Sequence, residues 1–351
     1  MNLYPKLILE ALSHVNHPAT GKNIVESGLV EDNIRIEGNK VSFSLILKPN
    51  DPLAKSLVKA AETAILTYVD GGIDIKGNID IKHPEQPQTN QEEPLKGVKC
   101  KIAVSSGKGG VGKSTITSNL AVALARQGYK VGLLDADIFG PSIPKMFGIE
   151  DAVPYANEQG QIMPIEKYGI KILSIGFFVN TNNAIVWRGA MASGAIKQLL
   201  TEADWGDLDF LLIDLPPGTS DIHLTVVQTI KLDGAIVVST PQQVALADAV
   251  RGIDMFQNDK INVPVLGIIE NMAWFTPKEL PDNKYYIFGK DGAANLAKER
   301  GIALLGQIPL VQSICEAGDN GAPVSLSESI TALAFENVAK NSIFAEILSK
   351  K

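Results

Sequence analysis

The chain predicts an α/β fold, a mostly parallel sheet covered by helices on both faces, preceded by a small α+β domain. Three observations predict it. After residue 97, short apolar runs alternate with helical stretches. Residues 107–115 read GKGGVGKST, a phosphate-binding loop between a strand-like run and a helix-like run. Residues 83–97 carry three prolines, many Gln, Glu and Asn and no aromatic residue, a linker composition that cannot bury a core. The expected division is therefore 1–82, a linker over 83–97, and 98–351.

The front segment begins with a helix over 3–14. A hairpin follows around Glu37, Gly38 and Asn39, where Val41, Phe43 and Leu45 alternate with Ser42 and Ser44. A second helix is expected over 52–68 and a strand over 73–81. Beyond the linker, strands are expected over 102–105, 131–135, 210–214, 235–240, 265–270 and 303–308. They are short, apolar on both faces and spaced for crossover helices, as parallel strands buried on both sides must be. Ligands of such sheets sit beyond the carboxyl ends of the strands, where the chemistry-bearing motifs fall.

Ile102, Ala103 and Val104 lead into the phosphate-binding loop, and Ile116, Leu120, Ala123 and Leu124 form an apolar helix face that stops at Gly128. Gly107, Gly109, Gly110 and Gly112, with Lys108, Val111 and Thr115, let backbone N–H groups turn onto an anion. Lys113 is placed for the β/γ-phosphates and Ser114 for Mg²⁺. The second station, LLDADIFGPS, ends its strand on Asp135 and Asp137. A carboxylate there can orient a water for in-line attack, and Asp137 is the candidate, with Asp135 in support. The third, DFLLIDLPPGTSD, runs four apolar residues into Asp214 before Pro216, Pro217 and Gly218 break the strand. Asp214 is the candidate to accept from a Mg²⁺-bound water.

Together these stations resemble the deviant Walker A class of P-loop NTPases, which a lysine at the second loop position defines; here it is Lys108. The resemblance implies ATP hydrolysis by a homodimer, with Lys108 catalytic and reaching the partner's phosphates. Within the class the chain resembles the Mrp/ApbC family of iron–sulfur cluster carriers, through GKGGVGKST, DADIFGPSIP, VWRGAM at 186–191, DLPPGTSD, TPQQVALADA, GIIENM at 267–272, LGQIPL and GDNGAPV. The front segment resembles the small iron–sulfur-assembly domain fused ahead of such ATPases. The family implies clusters as cargo, apoprotein clients or assembly proteins as partners, and adenine contacts from Asn271 and the region of Pro309. A nucleotide-switched scaffold of the partitioning type, carrying no cluster, is the alternative.

One departure bears on the cargo. The family carries a CxxC pair after its ENM motif, whereas residues 272–289 here read MAWFTPKELPDNKYYIFG, without cysteine. The chain has two cysteines; Cys100 is expected before the first core strand and Cys315 in a helix after Pro309. A homodimer would present four thiols, the number a cluster usually takes, but not in the family's position, so the cluster ligands stay unassigned. His14, His17, His83 and His223 make no metal-spaced group.

A net charge of −7 with no basic stripe argues against a nucleic-acid partner. Two cysteines make no disulfide framework, and the start MNLYPKLILEALSH is not a secretory signal, so the cytoplasm is the expected compartment. No apolar run reaches the roughly 18 residues that cross a bilayer. The amphipathic end, ITALAFENVAKNSIFAEILSK, has few basic residues and is expected to close the domain, so no membrane partner is expected.

Overall fold

The computed structural model describes residues 3–17, 22–31, 33–47, 54–82, 94–178, 189–277, 279–280 and 282–351, the side chain of Lys55 excepted. His83, most of the linker, the start of the second expected helix and Val186, Trp187 and Arg188 of VWRGAM lie outside the described residues. The chain divides into two compact units, Met1–Gln91 and Glu92–Lys351.

In the first unit α1 (Pro5–Leu12) and α2 (Ala54–Tyr68) pack on a sheet of β1 (Arg35–Glu37), β2 (Lys40–Ile46) and β3 (Ile79–Lys82). The β1–β2 hairpin turns at Gly38, whose φ of 63° is the left-handed value that a tight hairpin turn asks of glycine. Val41, Phe43 and Leu45 point into a core with Ile8, Leu12, Leu57 and Ile65, as their alternation requires. The strand expected over 73–81 is shorter: β3 begins at Ile79 and runs parallel to β2, while Ile73 and Ile75 are buried on either side of Asp74, which makes an isolated bridge to Lys40.

In the second unit the strands are β4 (Val98–Ser106), β5 (Val131–Asp135), β6 (Ile165–Lys167), β7 (Ile170–Ser174), β8 (Leu208–Asp214), β9 (Gly234–Ser239), β10 (Val265–Phe275) and β11 (Leu304–Leu310). They form one sheet in the order β11-β10-β9-β4-β8-β5-β7-β6, parallel throughout except for the antiparallel edge strand β6. Helices α3 (Lys113–Arg126), α4 (Ile143–Phe147), α5 (Gly189–Thr201), α6 (Asp221–Thr229), α7 (Gln243–Gln257), α8 (Gly292–Arg300), α9 (Gln312–Asp319), α10 (Ile330–Ala339) and α11 (Ser342–Leu348) make the connections and the close. Along β4, Cys100, Ile102 and Val104 face the core lined by α3, α10 and α11, and Ala103 faces the core lined by α5 and α6. Both faces of β4 are thus dry, which explains its near-continuous apolar run.

Cys100 lies inside β4, not before it, because pairing with β8 extends the strand back to Val98. The β6–β7 pair was not legible in the sequence. The terminal stretch folds as α10 and α11, burying Phe335, Val338, Phe344 and Ile347 against the sheet, and closes the unit as expected. Among the described residues no helix is long and apolar enough to cross a membrane.

Candidate phosphate-binding site

β4 sits centrally, flanked by β8 and β9, so the loop leaving it emerges between the strand ends that carry the other motifs. Gly110 and Gly112 adopt φ of 80° and 82°, the left-handed turns that swing the backbone into the start of α3. Gly107 is needed for a different reason. A Cβ there would lie 2.1 Å from the Asp248 carbonyl carbon and 2.5 Å from the Ala249 nitrogen, inside the backbone of α7. The loop therefore rests directly on a helix, and its amides surround the amino end of α3, where the helix dipole favours an anion.

Lys113 is buried, its Nζ 2.8 Å from Asp214 Oδ2, 3.2 Å from Ser114 Oγ and 3.7 Å from Asp137 Oδ2. Ser114 Oγ donates to Asp214 Oδ2 at 2.5 Å, and Thr117 Oγ1 donates to Oδ1 at 2.6 Å. Asp214 is fully buried yet has both oxygens satisfied and an ammonium beside it, which is how a charge is tolerated there. Thr117 was missed; standing four residues after Lys113 on α3, it shares the lysine's face, and that spacing could have found it. Ser114 Oγ and Asp214 are hard oxygen donors of the kind that suits a small divalent cation.

Asp135 and Asp214 are direct cross-strand partners, yet their surroundings differ. Asp135 is fully buried and accepts from the Asp137 amide (3.1 Å), the Ile143 amide (3.2 Å) and Ser174 Oγ (2.9 Å). Burial, then the facing charge of Asp214, pushes its carboxyl up to about 7. Asp137 keeps 8% of its surface exposed and lines the phosphate cleft, and burial raises its carboxyl while Lys113 pulls the other way. The two aspartates are thus sorted by access: Asp137 reaches the cleft, and Asp135 holds the backbone of Asp137 and the start of α4.

Asn271, inside β10 and just past the stretch paired with β9, donates from Nδ2 to the Val111 carbonyl at 2.8 Å, and a Cβ on Gly112 would meet the same amide nitrogen at 2.2 Å. It braces the loop at Val111. Its neighbour Glu270 is buried, accepting from the Ala293 amide at 2.5 Å and Gln307 Nε2 at 2.7 Å, so it ties the start of α8 to β11. Lys108 is half-exposed and joins no ion pair among the described residues. The segment after Asn271 turns back on itself: Phe275 and Tyr285 exchange both backbone hydrogen bonds at 2.8 Å, and Lys284 Nζ lies 4.0 Å from the Trp274 ring centroid.

The cleft over the loop, about 220 Å³, is walled by Lys108, Asp137, Met146 and Pro217. A larger groove of about 510 Å³ lies at the amino ends of the strands, around Lys231, Asp233 and Asn262. It is far from every motif and on the wrong edge of a parallel sheet for the ligand.

Residues 97–343 match the family model described as NUBPL iron-transfer P-loop NTPase, and residues 6–75 match that of an iron-sulfur cluster assembly protein. The chain belongs to the NUBPL-type P-loop NTPases. A Synechocystis relative named iron-sulfur cluster carrier protein is 42% identical over 339 residues, covering 95% of each chain. Iron-sulfur cluster transfer protein NUBPL of Dictyostelium discoideum is 46% identical over 261 residues, 74% of this chain and 80% of that one. Among solved structures, a nucleotide-binding protein in complex with ADP from Archaeoglobus fulgidus superposes with a TM-score of 0.60 at 40% identity, over 68% of this chain and 92% of that one. This NUBPL-type NTPase thus keeps the nucleotide-binding P-loop fold of its family, with Lys113, Ser114 and Asp214 already in contact.

Proposed function

We propose that the protein is an ATP-hydrolysing carrier that binds iron–sulfur clusters and passes them to apoproteins. The observation that carries this reading is similarity over both units to a named cluster carrier, 95% of each chain, joined to an intact phosphate site. The linker over 83–97 would separate an assembly-like unit from the NTPase unit. Residues 107–115 hold the phosphates: loop amides and the α3 dipole face the anion, and Lys113 gives up its contact with Asp214 to meet it. Ser114 directly and Asp214 through water would hold Mg²⁺, which when bound neutralises developing phosphate charge. Among the described residues no group of three His, Cys, Asp or Glu is arranged for a metal, so the ion's other positions fall to phosphate and water. Asp137 orients the attacking water, and Asp135 positions Asp137. Asn271 and the region of Pro309 serve the adenine side.

In this reading the working unit is a homodimer in a reducing compartment, the cytoplasm, with Lys108 completing the partner's site. The clients are apoproteins or assembly proteins. The cysteine-free segment after Asn271 favours one alternative, a nucleotide-switched scaffold without cluster. Anaerobic reconstitution with iron and sulfide, followed by transfer to an apo-ferredoxin with and without ATP, separates the two. Transfer supports the carrier; ATPase activity with no transfer supports the scaffold.

A further inference from the structure

We propose that His223 is a positioning residue for nucleotide hydrolysis, a neutral imidazole that fastens the loop after Asp214 to the strand feeding the phosphate-binding loop. The proposal rests on the reading of this chain as an ATPase.

His223 stands in the first turn of α6 and is 1% exposed, so its ring must be satisfied inside the protein. Nδ1 accepts from the Ser220 backbone N–H at 3.1 Å. An Nδ1 that accepts from an amide carries no proton, so in the neutral ring the proton sits on Nε2. Nε2 faces Ser105 Oγ at 3.4 Å, and Ser105 is itself 1% exposed. The ring thus spans from the last loop residue before α6 to β4. Burial, the larger cause, and then the Lys113 charge push its pKa down to about 4, so the ring is neutral at neutral pH.

Two further contacts give the bridge its meaning. The Leu215 amide donates to the Val104 carbonyl at 3.0 Å, and the Gly218 amide donates to the Ser106 carbonyl at 2.8 Å. Val104, Ser105 and Ser106, three consecutive residues of β4, therefore each take one contact from the 215–223 segment. That segment is a wall of the phosphate cleft, since Pro217 lines it and stands 3.9 Å from where a Cβ on Gly109 would be. A plain helix cap at this position is served by Gln or Glu. The imidazole, with a nitrogen on each side, caps Ser220 and also reaches the strand. Small displacements of a wall beside reacting groups lower turnover more than binding.

The test combines ring ¹⁵N NMR with kinetics on the full-length chain. At pH 7, His223 should show an unprotonated Nδ1 and a protonated Nε2, assigned by comparison with His223→Gln; a protonated Nδ1 overturns the bridge. His223→Ala should lower kcat for ATP about tenfold with KM within about threefold, whereas Ser105→Ala and His223→Gln, which each keep the cap, should lower it about threefold. Wild-type rates in all three overturn the assignment, as does a loss of MgADP affinity in titration calorimetry that tracks the loss of rate. Should His223→Ala fail to fold, the two milder variants decide alone. A wild type that binds ADP but hydrolyses nothing would sink the ATPase reading and the turnover role with it. An active wild type with indifferent variants sinks only His223.

Discussion

Lys113 Nζ rests 2.8 Å from Asp214 Oδ2 in a pair almost wholly cut off from solvent. Under the proposed function, the lysine assigned to the phosphates here neutralises the carboxylate assigned to the metal. Lys113→Ala should therefore abolish nucleotide binding and also destabilise the fold, because it strands Asp214 uncompensated. The expected cost is about 3 kcal/mol, read as a lowered unfolding midpoint in urea. Ser114→Ala, which leaves the ion pair, should lose Mg²⁺-dependent affinity at a smaller stability cost. Equal midpoints for wild type and Lys113→Ala would show that the pair is not formed in solution.

Asp137→Asn should keep nucleotide binding and lose about a hundredfold or more in kcat, as expected of a residue that acts on the attacking water. Asp135→Asn should instead lower stability and rate together, since an amide would turn a donor toward the Ile143 or Asp137 amide. Single-turnover hydrolysis beside a melting curve separates the roles. Reversed phenotypes would move the water-orienting role to Asp135.

Lys108→Ala should retain ATP affinity while hydrolysis fails, Lys113 being untouched. Mixing it with Ser114→Ala protein should restore part of the activity if the lysine acts across a dimer. A mixture no more active than the sum of its separate components would place Lys108 in its own subunit's site.

Substituting Cys100→Ala and Cys315→Ala together should leave ATPase activity near wild type, for the phosphate site contains no thiol. Reconstituted wild type should hold well below one cluster per dimer unless an external thiol is supplied, since oxygen donors replace thiolates poorly on iron. A stoichiometric cluster lost with Cys315 alone would make Cys315 a ligand.

The buried imidazole also sets a pH dependence. His223 is depressed from 6.5 to about 4 in the folded chain, so the unfolded chain binds the proton first as pH falls. Its contribution is fully present above about pH 6.5 and is lost progressively toward pH 4, up to about 3 kcal/mol. The stability of wild type relative to His223→Gln should fall across that window. A flat difference between the two would show that the ring titrates normally.

The six core strands and the P-loop were legible because each is a local signal, an apolar run or a glycine spacing. The β6–β7 pair was not, because Ile165 and Lys167 form a strand only through β7. Asp135 and Asp137 were both visible, but which one reaches the cleft depends on Ser174 and the Ile143 amide, brought in from other parts of the chain. Asn271 was singled out through the GIIENM run, while its grip on Val111 spans 160 positions. His223 carried no signal, since it stands on α6 and its partner Ser105 lies on β4, 118 positions earlier.

The placing of Cys100 gives the NTPase unit an internal clock. Its thiol lies in the central strand, fully buried and pushed up to about 11 by that burial, while Cys315 is exposed on α9. A thiol-directed label meets the second without any structural change but reaches the first only when the sheet comes apart. The slow phase of labelling therefore counts openings of the strand that carries the phosphate loop, and any ligand that tightens that loop must lengthen it.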